Sequence, residues 1–176
     1  MTTPGKNIIP FIRKYLLTVV TLLVLMVSFP EAEAQEPPPR PIRINATAQG
    51  LSFGAFYNGL SGGTVAIDPS GVRTSTGDIT LLGLGYAFSS ALFEVHAHPG
   101  TVISILNGPD VSLAGIPSGS MTLSIGESNP VSPFVSNVHF NVAIPLYIGG
   151  TLTVGNAAAN PPGSYAGTFD ITIVRE

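Results

Sequence analysis

The sequence predicts an all-β fold, an antiparallel sandwich or barrel of about seven to nine strands that follows a cleavable export signal. Three observations predict it. Apolar and polar residues alternate with a period of two along nearly all of the chain beyond Pro41, which marks strands with one buried face. Clusters of Gly, Pro, Asn and Asp punctuate those runs, and the helical period is missing. With 44% hydrophobic residues and only 10% charged ones, the chain is too apolar to remain disordered. Its 20 Gly and 16 Pro follow no three-residue repeat of the collagen kind.

The N-terminal segment is read as targeting and not as fold. Lys6, Arg13 and Lys14 precede Leu16–Phe29, an uncharged apolar run of 14 residues that ends at Pro30 and leads to Ala32-Glu33-Ala34. That run is shorter than the roughly 17 to 25 residues a membrane-spanning helix needs, and the A-x-A triplet marks a cleavage site. Residues 1–34 are therefore expected to be a signal peptide, and cleavage leaves Gln35 to Glu176, 142 residues. The expected location is the periplasm, the cell surface or the extracellular space, with membrane contact only through the signal during export. Residues 35–41, with Glu36-Pro37-Pro38-Pro39-Arg40-Pro41, offer too few backbone donors for a helix or a sheet ladder and read as an extended linker. The folded domain is expected over 42–176.

Each strand is predicted by its own alternation. Ile42, Ile44, Ala46 and Ala48 alternate with Arg43, Asn45, Thr47 and Gln49. Val65 and Ile67 follow, then Ala91, Phe93, Val95 and Ala97, then Met121, Leu123 and Ile125. Val138, Phe140, Val142 and Ile144 continue the series, and Tyr165, Phe169, Ile171 and Ile173 close it, with Gly167 as a bulge or close approach. Turns are expected at Asp68-Pro69-Ser70-Gly71, Asn107-Gly108-Pro109, Asn129-Pro130, Gly149-Gly150 and Asn160-Pro161-Pro162-Gly163.

Composition removes several functions. The mature segment keeps four arginines and no lysine against eight carboxylates, a net charge of −4. No basic stripe exists to neutralise phosphates, so nucleic acid is not an expected partner. Cysteine is absent, and the mature chain has no S-x-x-K pattern for nucleophilic catalysis. His96 and His98 project from one face of a strand and would chelate a metal if His139 or Glu94 joined them. Their position on a polar strand face beside Glu94 reads instead as solvated, and no metal is expected. Asp68, Asp78, Glu94, Asp110, Glu127 and Asp170 could pair for glycoside hydrolysis, yet most sit in turns or on polar faces. No catalytic residue and no cofactor is expected.

Two stretches carry a family resemblance. The first is Leu51-Ser52-Phe53-Gly54 with Gly62-Gly63-Thr64-Val65-Ala66-Ile67-Asp68-Pro69-Ser70-Gly71 and Thr76-Gly77-Asp78-Ile79. The second runs from Gly149-Gly150-Thr151-Leu152 through Gly163-Ser164-Tyr165-Ala166-Gly167-Thr168-Phe169-Asp170-Ile171-Thr172-Ile173. Together they resemble the exported bacterial domain-of-unknown-function family DUF4402. The closing G-x-Y-x-G-T-F-x-I-T-I pattern is also similar to the ends of spore coat protein U domains and fimbrial subunits. The resemblance implies an immunoglobulin-like sandwich at the bacterial cell surface, in its most concrete form a fibre subunit.

The expected function is thus that of an exported, non-enzymatic structural or adhesive surface protein. A pilin-like subunit would assemble by β-strand addition to itself or to other surface subunits. Its donor strand would present Ile42, Ile44, Ala46 and Ala48 to an apolar groove. The alternative is a monomeric module that binds carbohydrate or another ligand through loop-borne Tyr57, Asn58, Tyr86 or Tyr147.

Overall fold

A computed structural model describes residues 41–176, and every regular element among them is a strand in an antiparallel pair. The expected signal peptide and the linker up to Arg40 lie outside the described residues; Pro41 is exposed and outside any strand. The first strands are β1 (Arg43–Ala46), β2 (Ser52–Phe53), β3 (Phe56–Ile67), β4 (Arg73–Leu81) and β5 (Phe88–Ser89). They are followed by β6 (Ala91–His96), β7 (Val102–Asn107), β8 (Val111–Ile116) and β9 (Ser120–Asn129). The chain ends with β10 (Phe134–Val135), β11 (Ile144–Val154), β12 (Ser164–Ala166) and β13 (Ile171–Arg175). Thirteen strands replace the expected seven to nine because four of them, β2, β5, β10 and β12, are only two or three residues long.

The large sheet runs β1-β6-β11-β9-β8-β12, with the β3–β4 hairpin attached to β11. Strand β11 is its axis. β9 follows one edge of β11, while the other edge is shared: Ile144–Ile148 pairs with β6 and Gly150–Val154 with β3. The handover falls at Gly149-Gly150, where the sequence predicts a turn and the structure has a bulge within a continuous strand. A Cβ on Gly149 would run into the Ile67 carbonyl, so glycine lets two strands share one edge.

A second sheet, β10-β7-β13, packs over the β6–β11 half and makes the domain a sandwich. The inner core there is Ala91, Val95, Leu146 and Ile148 facing Ile103, each no more than 2% exposed. Phe93 and Phe169 meet edge to face, with centroids 6.3 Å apart. A second cluster, Val65, Ile67, Leu113, Met121, Leu123 and Leu152, lies under the other half of the large sheet. The predicted inward faces of Val65/Ile67, Ala91/Val95/Ala97 and Met121/Leu123 are all buried.

Two expected strands differ. Residues Val138–Val142 form a loop, closed by the Val142 N–H donating to His139 O at 2.8 Å, and the strand starts only at Ile144. Phe140 packs there against His96 and His98, which ends the alternation. The C-terminal run is two strands. β12 pairs with β8 in the large sheet, and after Gly167–Asp170 the chain enters the small sheet as β13 beside β7. Gly167 marks the crossing, since a Cβ there would meet Leu113 Cδ2 at 2.7 Å. Among the described residues no helix is long and apolar enough to cross a membrane.

Candidate functional site

A cavity of about 1220 Å³ is a cleft that reaches from the surface to the second core cluster. Its floor includes Phe53, Leu113, Met121, Leu123 and Leu152, side chains no more than 8% exposed. One wall is the segment Gly50–Phe56, which includes β2; the other is Ser164–Phe169, which includes β12. Strand β12 is paired on one edge only, with β8. Among the described residues no backbone hydrogen bond joins the two walls. The cleft therefore combines an apolar floor with short strands, Ser52–Phe53 and Ser164–Ala166, that are not cross-bonded, the chemistry that accepts an added strand.

Side-chain hydrogen bonds hold both walls. The Arg73 guanidinium donates through Nη1 to Phe53 O (2.9 Å) and Ala55 O (3.2 Å), and through Nη2 to Leu82 O (3.3 Å). It also sits 4.4 Å from the Phe88 ring centroid, a cation–π contact that fixes the ring. At the closed end, Asn160 is 2% exposed and its Nδ2 donates to Ser120 O at 2.6 Å while its Oδ1 accepts from Gly155 N–H. Asn58 Nδ2 donates to Asn160 O (3.0 Å) and Gly155 O (3.1 Å), and the Tyr165 hydroxyl donates to Pro161 O (2.8 Å). These bonds leave no buried side-chain polar atom unpaired among the described residues.

The proposed donor strand stands at the edge of its own sheet. β1 pairs with β6 in the register Ile44↔Val95 and Ala46↔Phe93, so Ile44 and Ala46 lie on the core side. All four β1 residues are nevertheless exposed, Ile44 by 40%; Ile42 is half-buried and Ala48 exposed. The pairing continues beyond Ala46: Thr47 N–H and Oγ1 both donate to Leu92 O, and Leu92 N–H donates to Gln49 O at 3.0 Å. Ala46 itself borders the cleft.

The other candidates are scattered. His96 and His98 are half-buried and not freely solvated: His96 Nδ1 is 3.0 Å from Phe140 O, and His98 stacks on the Phe140 ring at 4.9 Å. Arg43 lies over the same ring at 5.5 Å. Among the described residues no three His, Cys, Asp or Glu side chains gather as a metal site would require. Glu94, Asp110, Glu127 and Asp170 are exposed. Asp78 Oδ2 accepts the Ser61 N–H at 3.3 Å. Asp68 accepts the Ser70 hydroxyl (2.6 Å) and the Val72 N–H (2.9 Å), and these bonds hold its carboxyl below the usual aspartate range.

The candidate ligand-binding residues do not converge. Tyr57 and Tyr86 are 59% and 69% exposed; Tyr86 and Asn58 border the cleft, where Asn58 is buried and spent on the carbonyls above. Tyr147 alternates with the buried Leu146 and Ile148, so it projects from the opposite face of the large sheet. Sequence reasoning missed the cleft itself. The Gly50–Phe56 wall carries Leu51, Phe53 and Phe56 without a clean alternating pattern, and its pairing with β5 is only two residues long.

The family model described as "Domain of unknown function (DUF4402)" matches residues 42–174. The chain belongs to that family. No curated protein and no solved structure matches it.

Proposed function

We propose that this member of DUF4402 is an exported, non-enzymatic structural subunit of the cell surface whose copies join by β-strand addition. The cleft of one copy takes the Ile42–Ala48 strand of the next. One observation carries the reading: a cavity with a core-lined floor runs between two chain segments that make no backbone bond to each other. A strand laid there would find backbone partners beside it and apolar side chains below.

The identity of the occupant rests on fit. Ile42–Ala48 is seven residues long, about 23 Å when extended. Ile42, Ile44, Ala46 and Ala48 provide the alternating apolar side chains that such a floor selects. At home these side chains are poorly covered, so transfer to a cleft adds burial. The home ladder with β6 competes with exchange, and the closed single copy and the linked polymer are alternative states of one strand.

Light scattering and negative-stain microscopy on two chains test this, one starting at Gln35 and one at Leu51. The longer chain is expected to form ladders or fibres. The shorter one is expected to remain single and to bind a synthetic Pro41–Gln49 peptide. A longer chain that stays single at about 100 μM, with a shorter chain that neither folds nor binds the peptide, would show that the strand serves only its own sandwich.

A further inference from the structure

A second, smaller cavity of about 320 Å³ opens where the turn after β3 meets β5, β9 and β11. Its rings are Phe88 and Tyr147; its amides are Gln49 and Asn129; its hydroxyls include Ser70 and Ser90. No Asp, Glu, Lys or Arg lines it. From this combination we infer that the pocket is a binding site for a neutral sugar ring, a single hexose unit of a surface or extracellular glycan.

The chemistry selects that class. A hexose presents apolar C–H faces, which aromatic rings cover, and a belt of hydroxyls that both donate and accept hydrogen bonds. Amides serve both directions, whereas a lining without charge gives an ionic ligand no counter-ion and would strip its water without return. The volume lies at the small end of ligand pockets, which suits one ring.

The walls are built before any ligand arrives. Arg73 fixes the Phe88 ring from one side, as described above. The turn Asp68–Val72 is closed by Gly71 N–H donating to Asp68 O (2.9 Å) and by the two bonds to the Asp68 carboxylate. Ser90, only 3% exposed, donates to Pro69 O at 3.3 Å and so ties the second wall to that turn. Gln49 Nε2 donates to Ser90 O (3.0 Å) and Ser89 Oγ to Gly50 O (3.0 Å), which leaves Gln49 Oε1 as an acceptor. The Asn129 amide and the Tyr147 hydroxyl are engaged by no described residue, and they stand opposite each other in the β9–β11 register. Ligand groups would meet them without first breaking a protein bond.

This site shares Gln49 with the lining of the cleft and none of the residues of its floor. Proton–nitrogen NMR titration of the exported chain carrying Ile44→Asp, which keeps it single in the scheme above, with the methyl glycosides of glucose, galactose and mannose tests it. At least one is expected to give saturable shifts at Gln49, Ser70, Ser89, Asn129 and Tyr147, with a millimolar dissociation constant. Tyr147→Ala should weaken binding at least about tenfold, and Tyr57→Ala, on a strand that does not line the pocket, should leave it unchanged. Should Tyr147→Ala fail to fold, Asn129→Ala, at an exposed position, supplies the same comparison. No shifts up to about 50 mM of any glycoside, shifts confined to Tyr86 and the cleft, or full affinity in a folded Tyr147→Ala variant would each overturn the assignment.

Discussion

Ile44→Asp separates the home role of β1 from its role between copies. Ile44 is 40% exposed where it pairs with Val95, so about 60% of its side chain is already out of water. Full burial of an isoleucine side chain is worth about 1.5–3 kcal/mol. The home fold therefore draws about 1–2 kcal/mol from it, and complete burial in a neighbour's cleft would add about 1 kcal/mol more. Aspartate forfeits both contributions. In the cleft it must also shed the water around its charge, at a cost of several kcal/mol. A single folded copy should lose about 1–2 kcal/mol, a Tm drop of roughly 3–10 °C. Each junction should lose more than about 3 kcal/mol, over a hundredfold in association. Light scattering across a concentration series, beside thermal melts of the same samples, reads both numbers. Polymers that survive the substitution, or a melt that falls far while assembly is unchanged, would refute the reasoning.

Other expectations concern the frame of the two cavities. Asn160→Ala removes a buried acceptor for Gly155 N–H and a donor to Ser120 O; urea unfolding should show a loss of about 2–4 kcal/mol, and a loss below about 0.5 kcal/mol would contradict the role given to Asn160. Arg73→Ala leaves the carbonyls of Phe53, Ala55 and Leu82 without their shared donor, so amide exchange around β2 should accelerate at least about tenfold while the β7–β13 pair keeps its protection. Asp68 has a folded pKa below its ordinary value, so its contribution to stability is present above the unfolded aspartate range near about pH 4 and is lost as pH falls through the depressed folded value. Asp68→Asn should accordingly flatten the acid limb of a Tm-versus-pH curve and leave the neutral-to-basic region parallel to wild type.

The sequence carried the class of the fold and most of the large sheet, because period-two alternation is strongest where one face is buried and the other is wet. Val65, Ile67, Val95, Met121 and Leu123 face the core as their alternation requires. The pattern failed where tertiary context used the same residues differently. Val138, Phe140 and Val142 alternate as a strand does, yet Phe140 is drawn onto His98 and Arg43, and a turn forms. Gly149-Gly150 reads locally as a turn, but β3 and β6 share one edge of β11 there, a fact set by strands more than 50 residues away in sequence. Strand β1 is the most instructive case: its alternation is regular, and its inner face still stands open at a sheet edge.

The candidate sites were less legible for a related reason. A cleft is defined by backbone groups that do not pair, and alternation records only side chains. Phe53 and Leu152 are recognisable core residues in sequence, but their place beneath an unbonded gap depends on how Ser164–Phe169 crosses between sheets. Tyr147 was visible as an aromatic, whereas Phe88, Gln49 and Asn129 come from three separate regions that the topology brings to one pocket.

The absence of cysteine from the chain permits the most direct test of strand addition. Two variants, Ala46→Cys in the strand and Ala166→Cys in the cleft wall, are prepared separately, reduced, mixed and oxidised; Ala46→Cys is also mixed with Leu106→Cys, whose residue is 55% exposed on the other sheet. Strand addition predicts rapid disulfide-linked pairs from the first mixture, far fewer from the second, and suppression by excess Pro41–Gln49 peptide. Equal, slow cross-linking in both mixtures, unaffected by the peptide, would show that the cleft does not receive the strand of another copy.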